Sequence, residues 1–213
     1  MFNCIISPTP SPIKGEGIID VASKLFHPTS PLINLYLIDI ISNIMKNIGM
    51  KNIVLTGFMG TGKSEASKEL SKILGWKVID IDTEIEKSQN MKITEIFKQF
   101  GEPGFRDIET EMIKKLSKNK NVIISTGGGA VLRQENMDAL RENGVIICLT
   151  AAPETILKRI SNNNDRPLLH VEEPLKKIRE LLEFRMPYYE KADIIIDTEN
   201  KTPLEIAEEI IEK

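Results

Sequence analysis

The chain has 213 residues and a formal net charge of −3, from 28 basic and 31 acidic residues. This length suits one domain with a substantial core and is too short for two full-sized domains. The slight acidic balance provides no basic surface, so no nucleic-acid partner is expected. Cys4 and Cys148 are the only cysteines, which excludes a disulfide framework and fits a reducing cytoplasm. The two histidines stand apart from other ligand-type residues, so no zinc site is expected.

Residues 1–49 differ in composition from the rest of the chain. The segment from Cys4 to Gly17 contains three prolines and two glycines among Ser and Thr, which favours an extended or disordered tail. The segment from Leu32 to Ile48 is more apolar, but polar residues interrupt it, so no membrane-spanning helix is expected. Because Met50 directly precedes the first convincing strand, we expect a poorly ordered extension over residues 1–49 and a folded domain over residues 50–213.

From Met50 onward, short apolar runs alternate with amphipathic helical stretches, which predicts an α/β protein with a mainly parallel sheet. The continuous Val, Ile and Leu content of these runs suits strands that helices bury on both faces. In such open sheets, ligands bind beyond the carboxyl ends of the strands. The predicted strands are Asn52–Thr56, Lys77–Asp80, Asn121–Thr126, Val145–Thr150 and Ile194–Asp197.

The first predicted strand leads into Gly57-Phe58-Met59-Gly60-Thr61-Gly62-Lys63-Ser64, which fits G-x-x-x-x-G-K-[ST]. A helix is predicted over Glu65–Leu74, and this strand, loop and helix order is typical of a phosphate-binding loop (P-loop). Lys63 is expected to reach the β and γ phosphates, and the Ser64 hydroxyl to bind Mg²⁺. A glycine-rich turn with an accidental Lys-Ser pair is the alternative. The predicted nucleotide ligands in this loop are Gly60, Thr61, Gly62, Lys63 and Ser64.

Two carboxylates follow the second predicted strand, in Val78-Ile79-Asp80-Ile81-Asp82. An extended backbone points residues two apart to the same side, so one cleft is expected to receive both side chains. Asp80 is expected to support Mg²⁺, and Asp82 to accept a hydrogen bond from a substrate hydroxyl. The alternative for Asp82 is the N-cap of a helix that begins at Thr83, and the two roles are compatible.

Gly101-Glu102-Pro103-Gly104 interrupts the chain before another predicted helix, and Arg106 falls in its first turn, off the apolar stripe. A cation at a helix N-terminus opposes the helix dipole at a cost of up to ~1 kcal/mol. Asp107 and Glu109 offer compensation in a surface network. A bound carboxylate, which the planar guanidinium matches with two hydrogen bonds, is the other explanation.

Gly127, Gly128 and Gly129 follow the apolar run Val122-Ile123-Ile124 at the predicted carboxyl end of a strand. Each glycine loses more chain entropy on folding than alanine, roughly 0.5–1 kcal/mol. Such a run therefore indicates a demanding turn or the close approach of a ligand, and the spacing alone favours the turn.

Three later arginines are further candidates. Arg185 continues the apolar stripe of a helix predicted near Pro174–Arg185, so it needs a partner or must reach solvent. Arg159 lies near the end of a helix predicted over Pro153–Ile160. A polar stretch then leads to Arg166, and we expect a mobile lid whose arginine neutralises charge on a phosphoryl group, with an ordinary solvated loop as the alternative.

Together these motifs occur in the order and approximate spacing of the shikimate kinase family, which the chain closely resembles from Met50 to near its C-terminus. Many ATPases, GTPases and kinases share a P-loop. Its combination with the paired Asp residues, Phe105-Arg106, the triple glycine, Arg166-Pro167-Leu168-Leu169 and Arg185 is highly specific to this family.

The resemblance implies the three-layer P-loop fold of the small nucleoside-monophosphate kinases, with a five-stranded parallel sheet in the order 2-3-1-4-5 and a lid. It implies transfer of the γ-phosphoryl group of ATP to the 3-hydroxyl of shikimate, a step towards chorismate and the aromatic amino acids. Mg²⁺ is the implied cofactor. The implied partners are shikimate and ATP, with a cytoplasmic monomer as the expected state.

The resemblance also implies the roles of individual residues. The implied catalytic residues are Lys63, Asp82 and Arg166. The implied substrate ligands are Asp82, Arg106, Gly127, Gly128, Gly129 and Arg185, with the two arginines on the substrate carboxylate. The implied nucleotide ligands outside the P-loop are Arg159, Arg166 and Pro203. The implied metal ligands are Ser64 and Asp80.

Two other functions stay open from the sequence. A different small-molecule kinase, such as a gluconate kinase, would keep the P-loop without needing the same pair of arginines. A nucleotide-dependent regulator would bind ATP and transfer no phosphoryl group, although the presence of both Lys63 and Asp82 argues against it.

Overall fold

The structure is a computed structural model that describes residues 51–161 and 171–213. The predicted extension over residues 1–49 and the predicted lid with Arg166 lie outside these residues. The fold and most of the candidate site lie within them.

Five strands form one sheet in the order β2-β3-β1-β4-β5, and every neighbouring pair is parallel. This confirms both the parallel sheet and the strand order that the resemblance implied. β3 is one residue shorter at each end than predicted, and β4 begins one residue earlier. The strands are β1 (Asn52–Thr56), β2 (Lys77–Asp80), β3 (Val122–Ser125), β4 (Gly144–Thr150) and β5 (Ile194–Asp197).

The helices alternate with the strands, as the periodicity predicts. They are α1 (Lys63–Leu74), α2 (Ile81–Gln89), α3 (Ile93–Leu116), α4 (Gln134–Asn143), α5 (Pro153–Ile160), α6 (Pro174–Tyr189) and α7 (Pro203–Glu212), with a 3-10 turn at Ala130–Leu132. The predicted interruption appears as a kink in α3 at Gly101, whose φ of 68° is outside the helical region. None of the described helices is both long and apolar enough to cross a bilayer.

Two apolar clusters bury the two faces of the sheet. Ile53 and Leu55 of β1 pack with α1 and α7, whereas Val54 between them packs with α2 to α6 on the other face. Successive side chains of a strand point to opposite faces, so one short apolar strand supplies both clusters. The result is the predicted three-layer α/β arrangement.

The loops that follow β1, β2 and β3 meet at the carboxyl edge of the sheet. The register places Leu55 of β1 and Asp80 of β2 beside Ser125 of β3. From β1 the chain goes to β2 and β3 on one side and then forms β4 and β5 on the other. A crevice opens where the connections diverge in this way, and the candidate side chains lie there.

Candidate active site

The loop between β1 and α1 has the backbone of a phosphate-binding loop. Gly57 has a φ of 127°, and a Cβ there would lie 2.2 Å from the carbonyl oxygen of Leu149, so only glycine fits against β4. Gly62, with a φ of 99°, is the N-cap of α1. The Thr61 hydroxyl donates a hydrogen bond to the Phe58 carbonyl at 2.8 Å, which closes the loop on itself. The positive end of α1 therefore faces this loop, whose backbone forms a cradle.

Lys63 and Ser64 occupy the first turn of α1, two residues earlier than the predicted start of this helix. The Lys63 Nζ donates to the carbonyl oxygens of Gly57 and Phe58 at 2.8 and 2.9 Å, so its ammonium group lies over the loop. Ser64 is exposed beside it. A cation and an accessible hydroxyl thus adjoin the backbone amides of the cradle.

The two aspartates do not have the extended geometry that the sequence predicted. β2 ends at Asp80, and Asp82 lies in the first turn of α2. Asp80 is the N-cap, since its Oδ1 accepts a hydrogen bond from the Thr83 amide at 2.9 Å. The alternative of Asp82 as the N-cap is therefore wrong. The physical reason is that helix formation begins one residue after the strand ends, which gives the cap to the first carboxylate.

Asp82 nevertheless points into the crevice. A Cβ on Gly127 would lie 2.9 Å from its Oδ1, and this oxygen is buried with no hydrogen-bond partner in the described part of the chain. Burial raises the pKa of the Asp82 carboxyl above its ordinary value, and the neighbouring Asp80 charge raises it further. The positive charges of Lys63 and Arg106 act in the opposite direction. Asp82 is thus an under-bonded carboxylate of increased basicity, beside the P-loop lysine.

Arg106 lies just after the kink of α3 and bonds to two carboxylates. Its Nη1 donates to Glu109 at 2.6 Å, and its Nη2 donates to Glu102 at 3.2 Å. Glu109 is one of the two acids that the sequence offered, but Asp107 pairs with Arg133 instead, at 2.7 Å. Sequence reasoning did not assign Glu102 to this arginine, although its position four residues earlier on a helix was the available signal.

Glu109 is completely buried, so it is not part of the surface network that was one of the sequence alternatives. Burial raises the pKa of its carboxyl, whereas the paired Arg106 lowers it. Its second oxygen, Oε1, has no hydrogen-bond partner among the described residues and would lie 3.2 Å from a Cβ on Gly127. Glu109 is therefore a site residue that the sequence analysis did not include in the site.

The triple glycine provides space rather than unusual backbone angles. A turn does form, as the spacing favoured, because the Ala130 amide donates to the Gly127 carbonyl at 3.2 Å. None of the three glycines has a positive φ. A Cβ on Gly129 would lie 2.2 Å from Arg106 Nη2, and one on Gly128 would lie 3.4 Å from Arg185 Nη1. The bare backbone thus lets two guanidinium groups approach one loop.

Arg185 is turned inward, so the alternative that it reaches solvent is wrong. Its Cζ lies 5.5 Å from the centroid of the Phe58 ring, within the range of a cation–π contact. Its Nε is buried and has no hydrogen-bond partner within residues 51–161 and 171–213. Arg185 of α6 and Arg106 of α3 therefore both approach the Gly127–Gly129 loop.

Arg159 lies at the P-loop end of the crevice. Its guanidinium donates to the Thr198 carbonyl and hydroxyl at 2.8 and 2.9 Å and to the Gly60 carbonyl at 3.3 Å. It thereby ties the loop after β5 to the P-loop. Pro203, at the first residue of α7, is exposed.

Two further observations concern the chemistry available at the site. The described residues contain no group of three or more His, Cys, Asp or Glu side chains that could hold a metal ion. Cys148 is completely buried, and burial raises the pKa of its thiol to about 12, so this cysteine packs as a small apolar side chain.

The fold and the site together define a class of protein. A P-loop lies where the connections of the parallel sheet diverge, and it adjoins a carboxylate of raised pKa and two arginines that approach one loop. This is the arrangement of a P-loop kinase that acts on a small acidic molecule.

Comparison with known proteins specifies the family. The family model described as "Shikimate kinase" matches residues 59–213. A shikimate kinase of Thermodesulfovibrio yellowstonii is 55% identical over 164 residues, which are 77% of this chain and 95% of that protein. A solved structure of Acinetobacter baumannii shikimate kinase in complex with shikimate superposes with a TM-score of 0.75 at 35% identity, covering 80% of this chain and 94% of that one. The chain belongs to the shikimate kinase family.

Replacing Asp82 with Asn is expected to stabilise the protein at neutral pH. A carboxyl whose folded pKa is raised destabilises the folded state when it is ionised, and the penalty disappears as the pH falls through the folded pKa. Thermal melts of Asp82→Asn should therefore show a higher midpoint at pH 7 and a shrinking gain in acid. Each kcal/mol gained corresponds to about 2–4 °C in a protein of this size.

The matched control for this variant is Asp138→Asn, which changes an exposed carboxylate on α4 and should leave the midpoint nearly unchanged. A lower midpoint for Asp82→Asn at pH 7 would show instead that attraction to Lys63 and Arg106 outweighs the cost of burying this charge.

Proposed function

We propose that this protein is an ATP-dependent shikimate kinase, which transfers the γ-phosphoryl group of ATP to the 3-hydroxyl of shikimate. The observation that carries the proposal is the convergence of Arg106 and Arg185 on the Gly127–Gly129 loop, next to the P-loop. Two guanidinium groups beside bare backbone form a site for a small molecule that carries both a carboxylate and hydroxyl groups.

The nucleotide end of the site is assigned to the P-loop and its neighbours. The backbone amides of Gly60, Thr61 and Gly62 and the ammonium of Lys63 bind the phosphates. Arg159 and Pro203 flank the adenine. The position of Arg159 against the Gly60 carbonyl and Thr198 supports this assignment.

Ser64 and Asp80 are proposed to hold Mg²⁺, the metal that ATP-dependent kinases generally use. Both offer hard oxygen ligands, and one oxygen of Asp80 caps α2, which orients the carboxylate at the carboxyl end of β2. Mg²⁺ in such enzymes uses one or two protein oxygens together with the phosphates, so a site with few protein ligands fits it. When bound, the ion neutralises charge on the phosphate oxygens.

The acceptor end is assigned to the two arginines, the glycine loop and Asp82. Arg106 and Arg185 bind the carboxylate of shikimate, while Asp82 and the backbone of Gly127–Gly129 bind its hydroxyl groups. The exposed Glu102, which bonds to Arg106, must share this guanidinium with the incoming carboxylate.

Catalysis then consists mainly of positioning and charge neutralisation. The 3-hydroxyl oxygen of shikimate attacks the γ-phosphorus, its proton passes to the Asp82 carboxylate, and ADP leaves. The raised pKa of Asp82 makes it a better base than an exposed aspartate. Lys63 neutralises charge on the transferred group. Arg166, which lies outside the described residues, is proposed to neutralise charge on the phosphates, as the family resemblance implies.

The direct test is release of ADP in a coupled assay with shikimate as the acceptor. We expect turnover with shikimate and at least a hundredfold lower kcat/KM with gluconate, because an acceptor that leaves buried polar groups unpaired is rejected by roughly 10²-fold or more. Preferential turnover of gluconate would assign the protein to another small-molecule kinase class. Binding of ATP without turnover of either compound would favour a regulator.

Replacing Arg185 with Ala is expected to raise KM for shikimate by about 10–150-fold, with a smaller effect on kcat. A hydrogen bond to a charged group contributes roughly 1.5–3 kcal/mol, which corresponds to this range. Steady-state kinetics with each substrate varied in turn provide the measurement. The control is Arg179→Ala, which removes an exposed arginine of the same helix that pairs with Glu154. An unchanged KM in Arg185→Ala would remove the proposed carboxylate role.

We further propose that residues 50–213 form the complete catalytic domain of a cytoplasmic, monomeric enzyme. In support, the family model matches residues 59–213, and 95% of the Thermodesulfovibrio yellowstonii relative aligns with 77% of this chain. A variant that starts at Met50 should therefore keep kcat within about twofold and melt cooperatively, as a self-contained core predicts. Gel filtration with light scattering of the full chain should give a mass near 24.0 kDa. Loss of cooperative melting or of activity on truncation would show that the first 49 residues belong to the functional unit.

A further inference from the structure

Tyr189 contacts the acceptor site without having a role in the reaction derived above. It is the last residue of α6, one helical turn after Arg185, and the residue is 2% exposed. Its hydroxyl donates a hydrogen bond to the carbonyl oxygen of Gly128 at 2.8 Å. A Cβ on Gly128 would lie 3.4 Å from Arg185 Nη1 and 3.5 Å from Tyr189 Oη, so both groups approach the same face of the glycine loop.

The hydroxyl of Tyr189 stays protonated at neutral pH. Burial raises its pKa to about 12, and the positive charge of Arg185 lowers the pKa only in part. A phenol has a single proton, and here it is donated to Gly128. The oxygen lone pairs are then directed to other donors, and the adjacent guanidinium of Arg185 carries such donors. The hydroxyl is thus suited to connect a backbone carbonyl to a cation.

The guanidinium of Arg185 has few other restraints. Its Cζ lies 5.5 Å from the Phe58 ring centroid, which limits it on one side without directing its hydrogen bonds. Its buried Nε has no partner in the described segments. A long arginine side chain that is fixed in only this way retains rotamer freedom, which binding of a carboxylate would have to remove. A hydrogen-bonding neighbour that aligns the guanidinium beforehand lowers this cost.

We propose that Tyr189 is a positioning residue for the acceptor: its hydroxyl aligns the Arg185 guanidinium with the Gly128 backbone before the acceptor binds. The inference rests on the proposed shikimate kinase activity and deepens it. Tyr189 acts through Arg185 and Gly128 and makes no contact with the reacting atoms.

The test is Tyr189→Phe in the full chain, which removes one oxygen and preserves the buried ring. We expect KM for shikimate to rise about two- to tenfold, the range of one neutral hydrogen bond, with kcat and KM for ATP each within twofold of the unmodified protein. The matched control is Tyr188→Phe. Tyr188 precedes Tyr189 on α6. The centroid of its ring lies 6.2 Å from that of Phe184, and the ammonium of Lys191 lies over it. This variant should leave all three constants unchanged.

A double-mutant cycle with Arg185→Lys tests whether Tyr189 acts through Arg185. Lysine keeps the charge but lacks the planar fork, so nothing remains for the hydroxyl to align. The increase in KM caused by Tyr189→Phe should therefore shrink to below about twofold in the Arg185→Lys background, since residues that share one interaction are not additive. Equal effects of Tyr189→Phe in both backgrounds would overturn the inference.

Thermal melts and the parent activity separate the remaining outcomes. Loss of cooperative melting in Tyr189→Phe, or a fall in kcat with no selective change in KM for shikimate, would indicate a merely structural role and overturn the inference. The proposed function fails separately, if the unmodified protein releases no ADP with shikimate, and the inference then fails with it. An active parent with an unchanged Tyr189→Phe variant overturns the inference alone.

Discussion

The approach of charged side chains to a backbone without side chains is the constraint on which this site depends. Three glycines follow β3, and the space they leave open admits Asp82, Glu109, Arg106 and Arg185 from three different helices. A single methyl group on Gly129 would collide with the Arg106 guanidinium at 2.2 Å. The entropy that glycines lose on folding is therefore the cost of bringing these charges together. In the proposed function, the same backbone binds the hydroxyl groups of the acceptor.

Two buried carboxyl groups at the site, those of Asp82 and Glu109, each have an oxygen without a hydrogen-bond partner in the described residues, which affects protein stability. Glu109 pairs with Arg106 through one oxygen, while its other oxygen and Oδ1 of Asp82 are buried without hydrogen-bond partners in the described segments. The pKa of each of these two carboxyls is raised chiefly by burial. Such groups destabilise the folded state unless a ligand supplies the missing donors. If the Asp82 carboxyl binds the acceptor as proposed, the features that favour acceptor binding here lower the stability of the unliganded protein.

The pattern of the sequence predicted the elements well and the side-chain partners poorly. All five strands were correct within one residue, because apolar runs between helical stretches depend on local periodicity. The alternative that placed the cap of α2 at Asp82 was wrong, because the strand and the helix join without an intervening residue and the cap is Asp80. Arg185 was open to two interpretations because a helical stripe gives the direction of a side chain but not what lies opposite, which here is Phe58 of the P-loop.

The sequence by itself determined the P-loop, the α/β class and, through the family resemblance, the strand order, and it predicted residues for the acceptor site. Local patterns and spacings of residues predict these properties without knowledge of distant contacts. Only the tertiary structure decided that Glu109 is buried in the site, that the triple glycine provides space without positive φ angles, and that Tyr189 joins Gly128 beside Arg185. The reason is that each of these facts is a contact between distant segments, and such contacts exist only once the sheet has brought its loops to one edge.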